Sequence, residues 1–275
     1  MAFAKPKYTK GEINRAGDIL GERRKATAED LDWAWRVLSN FRACHAYPIN
    51  TFQALLRQKL KSIDPEALVA QRLKRAPSVL LKLKRFEDME LARMQDVGGL
   101  RAVVDSVPKV RHLEKAYRSA SFQHQLVSSK DYIAEPKADG YRSVHLIYRY
   151  QNPRASDYQG LSLELQLRTR LQHAWATAVE TMGTFLGQAL KSGQGDANWR
   201  SFFSTASAAI AIVEACPPFP GYANLTAGQV YRQVADEELA LHVLEKLNGF
   251  AIAADRISTL SGQGAYHLVV LDSLA

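Results

Sequence analysis

The stretch LSLELQLRT, residues 161–169, decides how the rest of the chain is read. Successive side chains of a β-strand point to opposite sides, so its alternation sets Leu163, Leu165 and Leu167 on one face and Glu164, Gln166 and Arg168 on the other. One face packs. The other offers a carboxylate, an amide and a guanidinium in a row. The stretch SVHLIYRY, residues 143–150, repeats the pattern and groups Ser143 with His145, opposite Val144, Leu146 and Tyr148. If the two strands share a sheet, Ser143, His145, Glu164 and Gln166 converge on one surface. Taken alone, that surface reads equally as the solvated face of an edge sheet.

Outward from these strands, residues 99–107 read as a third strand, with Asp96 just ahead of it and a helix over 109–119 behind it. An Asp beside Gly98-Gly99 is an ordinary turn residue. Paired with Glu164, it would also supply two hard oxygen donors, as Mg²⁺ uses when it binds carboxylates together with substrate phosphates. The segment DYIAEPKADGYRSVH, from Asp131 to His145, puts Lys137 and the Gly140-Tyr141 pair on a tight loop. Upstream, Arg72, Lys74, Ser78, Lys82, Lys84 and Arg85 crowd into a partly helical stretch. Such a run is either a solvated basic face or a set of cations spaced to embrace a triphosphate.

The remaining pattern is helical. Thr27 and Asp30 form a capping box before Leu31, Trp35, Leu38 and Phe41, and Tyr47-Pro48 closes that helix. A second helix is predicted over 51–63, and a third from Asp64-Pro65, an N-cap followed by Pro. After the strand at 161–169, Trp175, Val179, Met182 and Leu186 line one helix face. Helices over 199–215 and 226–247 follow, the latter stopped by Asn248-Gly249, with a late strand at 266–271. Trp33, Trp35, Trp175 and Trp199 are expected to be packing residues. The expected organisation is a helical segment 1–63, a central domain 64–190 and a mostly helical segment 191–275.

Bulk properties narrow the setting. The 275 residues carry a formal net charge of +8, which favours polyanionic partners such as nucleotides or RNA. The most apolar run, residues 206–213, is far shorter than the roughly 20 residues a bilayer span needs, and no apolar core follows Lys5, Lys7 and Lys10, so a cytoplasmic protein without a membrane segment is expected. Cys44 and Cys216 have no partners at zinc-site spacing and are expected to be buried, reduced thiols.

The ordered set Arg72-x-Lys74-x-x-x-Ser78-x-x-x-Lys82-x-x-Arg85, Asp96-x-x-Gly99-x-Arg101, Pro136-Lys137, Gly140-Tyr141-x-Ser143-x-His145 and Glu164-x-Gln166-x-Arg168-Thr169 with His173 resembles the RelA/SpoT alarmone synthetase domain. The resemblance implies an α+β, nucleotidyltransferase-like fold, a mixed sheet flanked by helices. It implies transfer of the β,γ-pyrophosphate of ATP to a ribose 3′-hydroxyl. Carried over, Asp96 and Glu164 hold Mg²⁺, and Glu164 takes the acceptor proton. Arg72 and Arg101 sandwich the adenine, while Lys74, Ser78, Lys82 and Arg85 hold ATP phosphates. Lys130, Lys137 and Arg168 fall on the acceptor side, Tyr141 stacks on the acceptor base, and His145 and Gln166 orient the acceptor.

None of the seven histidines is followed by Asp, and the roughly 70 residues before the first motif are too few for the family's hydrolase domain, so the expectation is a synthetase-only member. The first carboxylate after the His173 turn is Glu180, later than the family's pattern, which leaves its role open. The acceptor also stays open: a guanosine nucleotide, an adenosine nucleotide, or the 3′ end of tRNA, the last implying a toxin held in check by an antitoxin. The C-terminal segment would then serve that partner or a homo-oligomer. The other readings are a non-catalytic nucleotide-binding module and a transferase of whole nucleotides.

Overall fold

In a computed structural model, the described residues are 3–119, 122–188, 190 and 193–261, the side chains of 254 and 256–261 excepted. The chain order begins with three helices, α1 (Lys10–Leu20), α2 (Ala28–Cys44) and α3 (Ala46–Ile63). Next come β1 (Leu68–Leu73), α4 (Ala76–Arg85), β2 (Gly98–Val104), α5 (Val107–Arg118), β3 (Gln125–Asp131), β4 (Val144–Arg149) and β5 (Ser162–Thr169). Four helices follow: α6 (Arg170–Phe185), α7 (Ala197–Val213), α8 (Ala227–Leu241) and α9 (Val243–Ser261). The chain falls into two compact units, residues 1–131 with 143–169, and residues 132–142 with those from 170 onward.

Its five strands form one mixed sheet in the order β1-β2-β5-β4-β3. Only β2 and β5 run parallel, with Gly99 opposite Glu164 and Arg101 opposite Gln166; the other pairs are antiparallel. Leu100, Ala102, Val104, Val144, Leu146, Tyr148, Leu163, Leu165 and Leu167 occupy one face and are buried, with α3 and α5 packed against the sheet. Each buried leucine or valine contributes roughly 1.5–3 kcal/mol. The alternation read in residues 143–150 and 161–169 is thus the sheet's own polarity.

A second apolar cluster joins Ile13, Ala16, Ile19 and Leu20 of α1 to Ala34, Val37, Leu38 and Phe41 of α2 and to Val79 and Leu83 of α4. Arg23 fixes the chain after α4, donating from Nη1 to the Glu87 carbonyl (2.8 Å) and from Nη2 to that of Met89 (2.9 Å). In the second unit, Trp175, Val179 and Met182 of α6 pack with Trp199, Phe202 and Phe203 of α7.

Several local expectations are corrected. Residues 68–73 are a strand, not the helix predicted from Asp64-Pro65: Asp64 ends α3, and Leu68–Leu73 finds a ladder partner in β2, which local propensity does not foresee. Pro48 lies inside the first turn of α3, where its missing N–H has no intrahelical partner to lose. Strand β3, with its exposed, polar Gln125, Ser129 and Lys130, escaped the sequence reading, as did α1 with its Thr9/Glu12 capping box. The face of α2 turned inward is Ala34-Val37-Leu38-Phe41, leaving Leu31 and Trp35 more than 40% exposed. The helix from Thr226 breaks at His242, which adopts a left-handed conformation (φ 52°), and α9 then runs through Asn248-Gly249. Cys44 is buried, its thiol pushed up to about 11 by desolvation, whereas Cys216 is only half-buried. The strand predicted at 266–271 lies outside the described residues.

Candidate active site

Strand register assembles a polar surface on the face opposite the buried leucines. Residues paired across neighbouring strands share a side of the sheet, so Arg72 (β1), Gly99 and Arg101 (β2), Glu164, Gln166 and Arg168 (β5), His145 (β4) and Lys130 (β3) all lie on one face. Ser143 precedes β4; its hydroxyl donates to the Leu167 carbonyl at 3.1 Å and is spent on the fold.

A hydrogen-bonded chain runs across this face. His145 Nδ1 lies 2.8 Å from Glu164 Oε1, and Gln166 donates from Nε2 to Glu164 Oε2 at 2.8 Å. The Gln166 carbonyl oxygen in turn accepts from Arg168 Nη2 (2.6 Å) and from Arg101 Nε and Nη2 (3.4 Å each). Glu164 is thereby oriented through both oxygens. Burial raises its proton affinity, but the His145 contact and the Gln166 bond outweigh it and hold the carboxyl below its usual range. Asp96 reaches Glu164 electrostatically and opposes its ionisation, so the two carboxylates are neighbours.

Asp96 sits ahead of β2 and is gripped by two ammonium groups, Lys74 Nζ on Oδ2 and Lys82 Nζ on Oδ1, both at 2.9 Å. Desolvation raises its proton affinity and the two lysines more than reverse it, so its carboxyl too is held below the ordinary range. Lys74 follows β1, with its N–H on the Val97 carbonyl (2.8 Å) and its own carbonyl accepting from Arg42 Nε (2.8 Å). Ser78, Lys82 and Arg85 recur at helical spacing on α4, on a stripe beside the buried Val79 and Leu83. Ser78 lies in the first turn of α4, where backbone N–H groups favour anions. The bridging of Asp96 by Lys74 and Lys82 was not legible in sequence, because the three residues come from separate elements.

Lys137 and Tyr141 belong to the second unit. There the turn 137–140 closes with Gly140 N–H on the Lys137 carbonyl (2.9 Å), and the Lys137 ammonium lies 4.7 Å and 4.9 Å from the ring centres of Tyr132 and Tyr141. Gly140 has φ +87°, a conformation that disfavours any side chain.

Asp96 and Glu164 suit a divalent cation by donor chemistry: two hard, ionised carboxylates that repel each other. Among the described residues no group of three or more His, Cys, Asp or Glu stands together as a metal cage. Any ion here would complete its shell with substrate oxygens, which is how Mg²⁺ is commonly held.

Residues 71–183, which include Arg72, Asp96, Arg101, Lys130, His145, Glu164, Gln166 and Arg168, match the model of the region found in RelA and SpoT proteins. That span of the chain is similar to the RelA/SpoT region. Over 134 residues it is 34% identical to GTP pyrophosphokinase YjbM of Bacillus subtilis, covering 44% of this chain and 63% of that protein. The chain thus spans less than two thirds of that relative. Small alarmone synthetase 1 of Bacillus subtilis, known as a crystal structure, superposes with a TM-score of 0.50 at 26% identity, over 62% of this chain and 90% of that one. A GTP pyrophosphokinase family protein from Streptococcus pneumoniae gives a TM-score of 0.55 at 19% identity, over 76% of this chain and 98% of that one, a likeness of fold.

Proposed function

We propose that the chain is an ATP pyrophosphokinase that moves the β,γ-pyrophosphate of ATP to the 3′-hydroxyl of an acceptor nucleotide, with a guanosine nucleotide as the acceptor. The observation that carries this is the sheet face itself, where two neighbouring carboxylates stand among Lys74, Lys82, Arg101 and Arg168. Phosphoryl-type transfer depends on positioning and charge neutralisation, and this surface supplies both without a covalent nucleophile. The name of YjbM, a GTP pyrophosphokinase, supports the guanosine acceptor.

Gly99 lies opposite Arg72 and Glu164 in the register, and a Cβ there would make only ordinary contacts, with the Glu164 carbonyl oxygen at 3.9 Å and Arg72 Cγ at 4.0 Å. Arg72 and Arg101 share the sheet face with Gly99, and their planar guanidinium groups stack on the adenine in this reading. Lys74 and Lys82 exchange Asp96 for ATP phosphates, with Ser78 and Arg85 further along the same helix face. The acceptor 3′-oxygen attacks the β-phosphorus, the bond from that phosphorus to the oxygen of the α-phosphate breaks, and AMP departs. Glu164, ionised and oriented by His145 and Gln166, receives the proton of the 3′-hydroxyl. Lys130, Lys137 and Tyr141 serve the acceptor. Mg²⁺ held by Asp96 and Glu164 would neutralise phosphate charge and shape the polyphosphate.

Incubation with γ-labelled ATP and Mg²⁺ against GDP, GTP, ADP and tRNA tests the reading: label in GDP or GTP with release of AMP is expected, and release of pyrophosphate would mark nucleotidyl transfer instead. A second reading, transfer to the 3′ end of tRNA by a toxin with an antitoxin partner, draws on the net charge of +8 and on exposed Arg57 and Lys61 of α3. It is distinguished by label in RNA.

A further inference from the structure

The second unit contains a cavity of about 540 Å³, within the range of sites for small organic ligands. Tyr141, Trp175, Phe203 and Tyr222 give it aromatic walls, and Lys137, Asp139 and Arg200 give it charge. One wall is the 132–142 loop. Much of the rest is α7, which lies beyond the matched span of residues 71–183.

The loop is fastened to α7 by buried polar groups. Ser207 donates to the Gly140 carbonyl at 2.5 Å, and the same hydroxyl accepts from Arg142 Nε at 3.3 Å. Arg142, 2% exposed, also donates from Nη1 to the Ile133 carbonyl (3.4 Å), tying the start of the loop to its end. A side chain on Gly140 would come within 2.7 Å of Ser207 Cβ and 3.3 Å of Trp175 Cζ2, so loop and helix are in direct contact. Trp175 Nε1 donates to the Phe203 carbonyl at 2.7 Å, and the Tyr222 hydroxyl meets Thr205 Oγ1 at 2.7 Å, which fixes two more walls.

Arg200, Ser204 and Ser207 recur at i, i+4 and i+7, one stripe of α7. Ser207 pins that stripe to the loop bearing Tyr141, and the two residues before it on the stripe line the cavity. We infer that this cavity of the second unit receives a purine base, with Arg200 and Ser204 of α7 reading the edge of a ring that lies against Tyr141, and Ser207 acting as the positioning residue for that platform. This rests on the pyrophosphokinase reading for the identity of the ligand. The guanidinium fork of Arg200 matches the adjacent O6 and N7 acceptors of guanine, whereas adenine places an amino donor where guanine has O6. Asp139, whose Oδ1 accepts from the Tyr141 N–H at 3.0 Å, supplies a carboxylate for the donor edge of the same base.

The test compares the full chain with Arg200→Ala, Arg200→Lys and Ser204→Ala, measuring kcat and KM for ATP, GDP and ADP, together with melting temperature. Expected is a GDP preference over ADP that Arg200→Ala shrinks by roughly 5- to 150-fold through the acceptor KM, that Arg200→Lys restores in part, and that Ser204→Ala shrinks less. ATP KM and melting temperature should stay at wild-type values. Unchanged acceptor KM in both alanine variants, or equal use of GDP and ADP by the wild type, overturns the inference. If the wild type transfers label to no acceptor, the proposed reaction fails, and the cavity is judged by calorimetric titration of GDP without ATP. GDP binding weakened by Arg200→Ala then upholds the site, and no binding, or binding indifferent to Arg200, overturns it.

Discussion

In the proposed reaction, Asp96 and Glu164 carry the heaviest electrostatic duty among single residues. Replacing either by its amide keeps the shape and removes the charge, so Asp96→Asn and Glu164→Gln should each lower turnover at least about 10²-fold, as loss of a major electrostatic group does. Near-normal kcat in both would end the assignment. Asp96→Asn also leaves Lys74 and Lys82 half-buried without a counter-charge, so unfolding should become easier by urea titration. The sign of the pH dependence follows from the lowered folded-state pKa. Asp96 contributes its stability above the unfolded carboxylate value of 3.8 and loses it as pH falls through the still lower folded value. The stability gap between wild type and Asp96→Asn should therefore stay level from pH 7 down to about 4 and close only below it. In the proposed reaction Tyr141 offers its ring to the acceptor base, and stacking is worth about 1–3 kcal/mol, so Tyr141→Ala should weaken acceptor binding roughly 5- to 150-fold. Tyr141→Phe keeps the ring beneath the Lys137 ammonium and should be mild. Equal damage from both would give the hydroxyl a role instead.

Among elements, the 132–142 loop is the most exacting. Gly140 combines φ +87° with a 2.7 Å approach to Ser207 Cβ, so Gly140→Ala meets both backbone strain and a collision. Strain of this kind costs of order 1–3 kcal/mol. The variant should lose acceptor affinity while keeping ATP affinity, measured as separate KM values; a parallel loss of both would indicate general unfolding. Helix α2 is a contrasting element. Its inward stripe runs through Val37 and Leu38, both wholly buried, while Trp35 is 41% exposed. Leu38→Ala should cost about 2–5 kcal/mol and Trp35→Ser within about 0.5 kcal/mol, by denaturant titration.

At the scale of the whole molecule, salt separates the two acceptor classes. RNA contacts release counterions, so RNA modification should fall steeply between about 50 and 200 mM salt, and a free nucleotide acceptor should show a much shallower dependence. Charge reversal tests the same point on α3, where Arg57 and Lys61 are exposed. Lys59 is unsuited to it: its ammonium donates to the Ala116 carbonyl at 3.3 Å and lies over the rings of Tyr117 and Phe122, so it holds the fold. On the tRNA reading, Arg57→Glu with Lys61→Glu should damage labelling of tRNA and spare labelling of GDP. No effect on either acceptor would remove the RNA reading.

What the sequence determined by itself was whatever local periodicity and local chemistry express. The alternation of residues 143–150 and 161–169 assigned each side chain to a face of its own strand before any pairing was known, and the antiparallel register of β4 and β5 then brought His145, Glu164 and Gln166 onto one surface. The motif order carried the likeness to the RelA/SpoT region that residues 71–183 match. What tertiary structure decided was everything that depends on partners distant in sequence. Strand β1 exists because Leu68–Leu73 meets β2, and an isolated segment starting at Asp64-Pro65 carries no trace of that ladder. Strand β3 exists because β4 accepts it, although its own polar residues give weak strand signals. Asp96 is bridged by Lys74 and Lys82, 22 and 14 residues away, because β1, α4 and β2 converge there. Ser207 reaches Gly140 across 67 residues. Periodicity is a property of neighbours along the chain, whereas ion pairs, ladders and cavities arise only when the burial of apolar faces brings remote segments together.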